Sequence, residues 1–375
     1  MNTSIHLFLL FAVLLVALLY TLRPTLDRKK RVVRAITVIM TLFSGLRTWW
    51  MGDLIKYYTL YRNCNGPNWK ATLTEKWSNM GIRLLFKLSG TLGISYEACI
   101  FLIAAFAAIS LGIIIYRYST SPFISYLMYI GMGFYIFTFS GLKQTIAMGF
   151  ICFAMISILE ERPKRFLLWT LIGGFFHAPA LIFLLAYPFA NKKVDRGYIL
   201  FLITAFAIVF VFRNSIVSML STLYQDDADA YGTASKLIGG RFIVMLLILA
   251  GGYYLRPLNS SDKTYSKTFN VMVLAALFQT FSVYNNVFTR LTDYFYQFII
   301  LFLPMVLRPF GVLTNEKAQL ESPGYFRTKE VYTIAVVAIT AYAVYYYMGY
   351  LNSSSGYLAS FRFFWQLNAH ALYGG

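Results

Sequence analysis

The chain has 375 residues, 58% hydrophobic, 18% aromatic and only 13% charged, yet it carries a net charge of +18. So much apolar surface excludes an ordinary soluble domain, and several apolar runs are long enough to cross a bilayer. Three cysteines without metal-ligand spacing, three scattered histidines and no nucleotide-binding glycine loop argue against a disulfide framework, a protein-built metal site or a cofactor. The basic residues are distributed among the apolar runs, which reads as membrane topology and not as a nucleic-acid surface.

Backbone groups in hydrocarbon must satisfy one another, and these runs lack the alternation of barrel strands. The expected fold is therefore all-α, a polytopic helix bundle forming one transmembrane domain over residues 1–375. The first run, 5–22, has an uncharged N-terminus and is followed by "RPTLDRKKRVVR". That order is the reverse of a signal peptide's, and predicts an uncleaved helix with its N-terminus outside and a basic cytoplasmic loop behind it. Later runs lie near 33–50, 97–116, 122–140, 145–159, 198–212, 242–255, 268–284, 291–307 and 331–350, which gives about ten spans and an outside C-terminus. Cys99 and Cys152 fall within such runs and read as small core residues.

One more run, 166–190, contains no Asp, Glu, Lys or Arg and is flanked by "ERPKR" and "NKK". Counting from the N-terminus places the loops near 23–34, 117–121 and 160–165 inside. Counting back from "RPFGVLTNEKAQLESPGYFRTK" and "RPLNSSDKTYSK", the best cytoplasmic loops, places "NKKVDRGY" inside as well. A single span cannot begin and end on the same side. Split at His177, the run gives arms of about 11–13 residues, roughly 17–20 Å each at 1.5 Å per residue, short of a ~30 Å hydrocarbon core. The expectation is a re-entrant pair of short or half-helices with His177 at the tip. Gly173 and Gly174 would allow close packing before the tip, and Pro179 suits the first turn of the returning arm. Broken backbone at that depth needs protein or a wet cavity around it.

This layout puts 20 of the 33 Lys and Arg inside with 8 of the 15 Asp and Glu, leaving 13 basic against 7 acidic residues outside. The outer surplus fits an anionic ligand or plain surface solubility. Two extracytoplasmic segments, 51–96 and 213–241, and the turns near 140–150 and 285–295 carry the candidate chemistry. Trp49 and Trp50 read as interface anchors or sugar-stacking rings, and Arg47 as a snorkelling or functional cation. Asp53 reads as a functional carboxylate or as the partner of Arg47 or Lys56. Lys143 and Gln144 stand between two apolar helices where the chain turns over. Arg241 opens a helix after Gly-Gly, while Arg290 and Asp293 stand at the entry of the next span, positions that favour anions. Ionisable groups at membrane depth are functional candidates by default. His177 is either a general base or phosphate ligand, or a hydrogen-bond tie between the tip and a neighbouring carbonyl.

These stretches, in this order, resemble the EpsG-like family of bacterial membrane proteins, counted among the Wzy-type polysaccharide polymerases. The resemblance rests on Arg47, Gly52, Asp53 and Tyr57; on Lys143-Gln144-Thr145-Ile146-Ala147; on Phe176-His177; and on Arg290, Tyr294, Phe295 and Pro304. It covers roughly residues 45 to 310. Lys143 stands where the family pattern has arginine, so a point charge replaces a bidentate fork.

The resemblance implies transfer of a growing glycan from undecaprenyl diphosphate to a lipid-linked repeat unit at the outer face of the bacterial plasma membrane. No metal or cofactor is implied, and the implied partners are that lipid-linked oligosaccharide, the bilayer, and chain-length regulator and flippase proteins. Catalytic candidates are then His177, Asp53 and Asp293. Diphosphate and sugar contacts fall to Arg47, Tyr57, Lys143, Gln144, Arg241, Arg290 and Tyr294. A flippase would need the same basic cavity but no base, and should show paired repeats; none is seen. An O-acyltransferase would draw a cytosolic donor through an inward-opening site, and a plain assembly partner needs neither.

Overall fold

The computed structural model describes residues 2–22, 25–48, 52–65, 69, 80–223, 239–259, 262–284, 286–312, 325–352 and 361–366. Trp49, Trp50 and residues 224–238 of the second outer segment lie outside the described residues. The described chain is all-α, with 16 α-helices and three short 3-10 helices. In order these are α1 (Asn2–Leu22), α2 (Leu26–Gly45), α3 (Leu54–Cys64), α4 (Met80–Thr91), α5 (Tyr96–Tyr118), α6 (Pro122–Gly131), α7 (Phe134–Phe137) and α8 (Leu142–Leu159). They continue with α9 (Pro163–Phe176), α10 (Ala186–Ala190), α11 (Arg196–Leu223), α12 (Gly240–Leu255), α13 (Lys263–Gln279), α14 (Asn286–Tyr296), α15 (Ile299–Val312) and α16 (Tyr325–Asn352).

Among the described residues five helices, where about ten spans were expected, are long and apolar enough to cross a membrane: α5, α8, stretches of α11 and α16, and α12 with the 3-10 turn that continues it to Asn259. A sixth results if α14 and α15, bent by 45° between Tyr296 and Ile299, are one span. The chain is a polytopic membrane protein. The described parts of three other apolar runs form shorter apolar helices, His6–Leu19, Pro122–Gly131 and Ala178–Ala190. The run 122–140 breaks because Gly133, at φ +81°, takes a left-handed conformation that ends α6 and starts the single turn of α7. The basic stretch expected as a loop near 23–34 is instead helical from Leu26, since Thr25 caps α2 by accepting the Arg28 N–H at 3.2 Å. Likewise α11 continues past 212 to Leu223; its Arg213 is buried 4.2 Å from the Phe210 ring, a cation–π contact that lets a charge stay within the helix.

The run 166–190 folds back on itself. The rising arm is α9, and the return is a 3-10 helix (Ala178–Leu185) followed by α10. Phe166, near the start of α9, has its ring 6.1 Å from Phe183 and 5.0 Å from Tyr187 on the return, which is an antiparallel arrangement. Near the turn a Cβ on Gly174 would stand 2.3 Å from the Leu181 side chain, which would have to move aside for any larger residue. Phe183, fully buried, packs its ring against Phe295 and Phe298 and so joins the return arm to α14 and α15.

Both ends of this hairpin lie at one end of the bundle. On α13, Lys267 Nζ donates to the Ile158 carbonyl and to Glu161, each at 3.0 Å. One turn on, Asn270 Nδ2 donates to the carbonyls of Ala190 at 3.3 Å and Lys192 at 2.9 Å. The chain entering α9 and the chain leaving α10 thus meet neighbouring turns of the same helix. Lys29 Nζ donating to Ser119 at 2.6 Å and Arg117 pairing with Glu160 at 3.2 Å bring two more basic loops to the same end.

Candidate functional site

His177 stands between α9 and the 3-10 helix in extended conformation, φ −148° and ψ 100°. Its N–H still donates to Gly173 at 3.0 Å, and its carbonyl accepts from Ala180 at 2.9 Å, so the turn is held on both sides. Pro179 occupies the first turn of the return, where a missing N–H costs nothing. His177 Nδ1 lies 2.6 Å from the hydroxyl of Tyr294, which is fully buried on α14. Which atom donates depends on the tautomer. When Nδ1–H donates to the phenol oxygen, Nε2 is left with a lone pair and no protein partner among the described residues.

The residues around this tip come from four elements. On α14, Arg290, Asp293 and Tyr294 are spaced i, i+3, i+4 and share a face. At the start of α8, Lys143 and Gln144 approach it, with Gln144 Nε2 donating to the Arg290 carbonyl at 3.3 Å. Gln144 Oε1 is buried without a hydrogen-bond partner among the described residues. Lys143 and Arg290 are both within electrostatic reach of His177. Arg290 is exposed, lies 5.4 Å from the Phe137 ring, and pairs with no carboxylate among the described residues. From α3, Tyr57 reaches the Lys143 backbone and feels Asp53 and Arg290. Burial pushes the Tyr57 phenol up to about 12, so it remains a neutral hydrogen-bonding group at physiological pH. Tyr96 secures α3 beneath it by donating to the Leu54 carbonyl at 2.8 Å.

Four candidates make their main contacts away from His177. Asp53 pairs with Lys56 at 3.2 Å on the exposed side of α3. Arg241 and Asp293 form a buried ion pair, with the guanidinium 4.3 Å from the Tyr296 ring, and this pair ties the start of α12 to α14. Arg241 Nε is buried without a hydrogen-bond partner among the described residues. Arg47 is also buried; it donates to the Ser44 carbonyl and, at 3.0 Å, to that of Thr138, so it caps α2 and anchors the turn before α8. Residues 46–48 also pair with 362–364.

The hydrogen-bond partner of His177 is thus Tyr294, which the resemblance placed among the diphosphate and sugar contacts. The shared face of Arg290, Asp293 and Tyr294 was the available signal, since any residue four along from Arg290 must point the same way. An apolar cavity of about 200 Å³ adjoins the tip, lined by Leu85, Ile103, Phe106, Ile146, Phe150 and Phe176 among others. The site therefore joins two cations, a buttressed imidazole and an apolar cleft.

No curated protein and no solved structure matches the chain. The EpsG family model, by contrast, matches residues 30–349, which takes in every residue of this cluster. By that match, over a length that includes the α3, α8, hairpin and α14 contributions, the chain belongs to the EpsG family, a family linked to polysaccharide biosynthesis.

Proposed function

We propose that the protein is a metal-independent glycosyltransferase of the bacterial plasma membrane. In this reading it passes a growing glycan from undecaprenyl diphosphate to a lipid-linked repeat unit at the outer face, and the α9–α10 hairpin is re-entrant. The observation that carries the reading is the pairing of an imidazole held by Tyr294 with two cations, Lys143 and Arg290, in reach of it. The acceptor sugar oxygen attacks the anomeric carbon of the donor glycan. The bond from that carbon to the diphosphate oxygen breaks, and its electron pair leaves with the diphosphate. His177 Nε2 takes the proton of the attacking hydroxyl, a role that typically contributes 10²–10⁴-fold. Lys143 and Arg290 stabilise the charge that develops on the leaving diphosphate. Tyr57 and Gln144 orient the sugar-diphosphate, Arg241 and Asp293 hold α12 on α14, and the apolar cleft beside Phe176 takes part of the prenyl chain.

The test is to remove the protein from its native membrane and follow the lipid-linked intermediate. Single repeat units are expected to accumulate on the outer leaflet. Accumulation on the inner leaflet would assign a flippase, and unaltered polymer lacking only acyl groups would assign an O-acyltransferase; either overturns the proposal.

A further inference from the structure

At the opposite end of the bundle from His177, a cavity of about 480 Å³ opens between the hairpin base and α13. Its charged lining is Glu161, Lys192, Lys193, Arg256, Lys263 and Lys267, five cations against one carboxylate. Glycan transfer at the tip uses none of them. The rising arm alone separates the two sites by 14 residues, about 20 Å at helical rise.

The cavity is built into the fold. Lys267 is buried, with its ammonium fixed between the Ile158 carbonyl and Glu161. Arg256 donates to the Val194 carbonyl and lies 5.0 Å from the Tyr253 ring. Asn270, by donating to the Lys192 carbonyl, fixes the rim from which Lys192 and Lys193 project. Glu161 is occupied by Lys267 and, at 3.9 Å, by Lys263. Carbonyls satisfy the N–H groups of a cation without neutralising its charge, so a positive potential is concentrated in a concavity. Lys192, Lys193 and Arg256 meet no carboxylate among the described residues. A general bias of basic residues toward the cytoplasm explains loop charges such as Lys30, Arg31 and Arg34, which lie exposed along α2. It does not require basic residues to be fastened around one cavity of a size typical for small-ligand sites, roughly 300–1,000 Å³.

We propose that this cavity binds a phosphate-bearing anion, supplied either by the headgroup of an anionic phospholipid or by a soluble diphosphate. The site does not depend on the reaction proposed for the tip.

The test uses the full chain in nanodiscs. One arm measures binding of inorganic diphosphate in phosphatidylcholine discs by calorimetry. The other measures retention of phosphatidylglycerol from mixed discs by native mass spectrometry. The doubly substituted Lys193→Gln, Lys263→Gln protein removes two exposed charges and is expected to weaken binding at least tenfold. Lys30→Gln with Arg34→Gln removes equal charge elsewhere and should bind as the parent, as should Lys193→Arg with Lys263→Arg. Charge-dependent diphosphate binding identifies a soluble ligand, and charge-dependent phosphatidylglycerol retention alone identifies a lipid headgroup; both support the site. Binding of neither probe, or equal loss in the α2 control, overturns it.

Discussion

The α9–α10 hairpin has two ends, and charge is handled differently at each. At the base, cations cross-link the structure through backbone carbonyls, Lys29 to Ser119, Lys267 to Ile158 and Arg256 to Val194, and through solvent-facing acids, Arg117 to Glu160 and Lys267 to Glu161. At the tip, one buried ion pair, Arg241 with Asp293, ties two helices together, while Lys143 and Arg290 remain beside the opening around His177. A carbonyl satisfies hydrogen bonds and fixes loops; an acid neutralises charge. Because Asp293 is committed to Arg241, Arg290 pairs with no carboxylate among the described residues, which is what the proposed anionic substrate needs.

The largest effect that would break this contrast is at His177. Glutamine and alanine there are both expected to lower polymer formation by about 10²–10⁴-fold, with thermal stability close to the parent's. Glutamine keeps a hydrogen bond to Tyr294 but takes up no proton at neutral pH. Full activity in His177→Gln would make the tip histidine a structural tie, and the tip would then resemble the base.

Next is the ion pair. Asp293→Ala leaves Arg241 buried and uncompensated, a change that typically costs on the order of 3–5 kcal/mol. Chemical unfolding in detergent micelles is expected to show that loss, with most of it recovered in the apolar double variant Arg241→Met, Asp293→Leu. An unchanged midpoint for Asp293→Ala would mean the pair does not hold α12 on α14.

A smaller effect is expected for Tyr294→Phe, which removes one hydrogen bond of about 0.5–1.5 kcal/mol. If Tyr294 positions the imidazole, kcat should fall by up to about tenfold while KM holds, and the pH profile of kcat should shift. A change confined to KM would assign Tyr294 to substrate contact instead.

The smallest prediction sharpens the base. The hydrogen bond and charge of Lys267, with Lys263 beside it, hold the Glu161 carboxyl below the usual carboxylate range. A carboxyl depressed in the folded state contributes stability above its unfolded pKa, ordinarily about 4.3, and loses that contribution as pH falls through the folded value. Unfolding midpoints measured from pH 7 downward should therefore decline slightly less in Glu161→Gln than in the parent. The effect is modest because Glu161 is exposed. Identical pH dependence would show that Lys267 acts on the Ile158 carbonyl alone.

Composition and run length were enough for an all-α membrane protein, because lipid leaves helices as the way to satisfy these backbones. Loop charge, read from both ends, implied that the run 166–190 must return, and Lys267 and Asn270 do hold both its ends against one helix. The order of Arg47, Asp53, Lys143, His177 and Arg290 was likewise legible as a family pattern. These are one-dimensional properties, since each residue's apolarity or charge can be read without knowing its neighbours in space.

Which cation meets which partner could only be decided in three dimensions. His177 and Tyr294 are 117 positions apart, Arg241 and Asp293 are 52 apart, and Arg47 is 91 from the Thr138 carbonyl that it caps. Each pairing depends on how far a helix is rotated and how closely it packs, and a rotation of one residue, about 100°, would turn Tyr294 away from the tip. The breaks at Gly133 and between Tyr296 and Ile299 were equally hidden, because an apolar run looks the same whether a helix continues through it or bends. Apolarity determined that this chain folds in lipid as helices; packing between those helices decided which partner each buried charge meets.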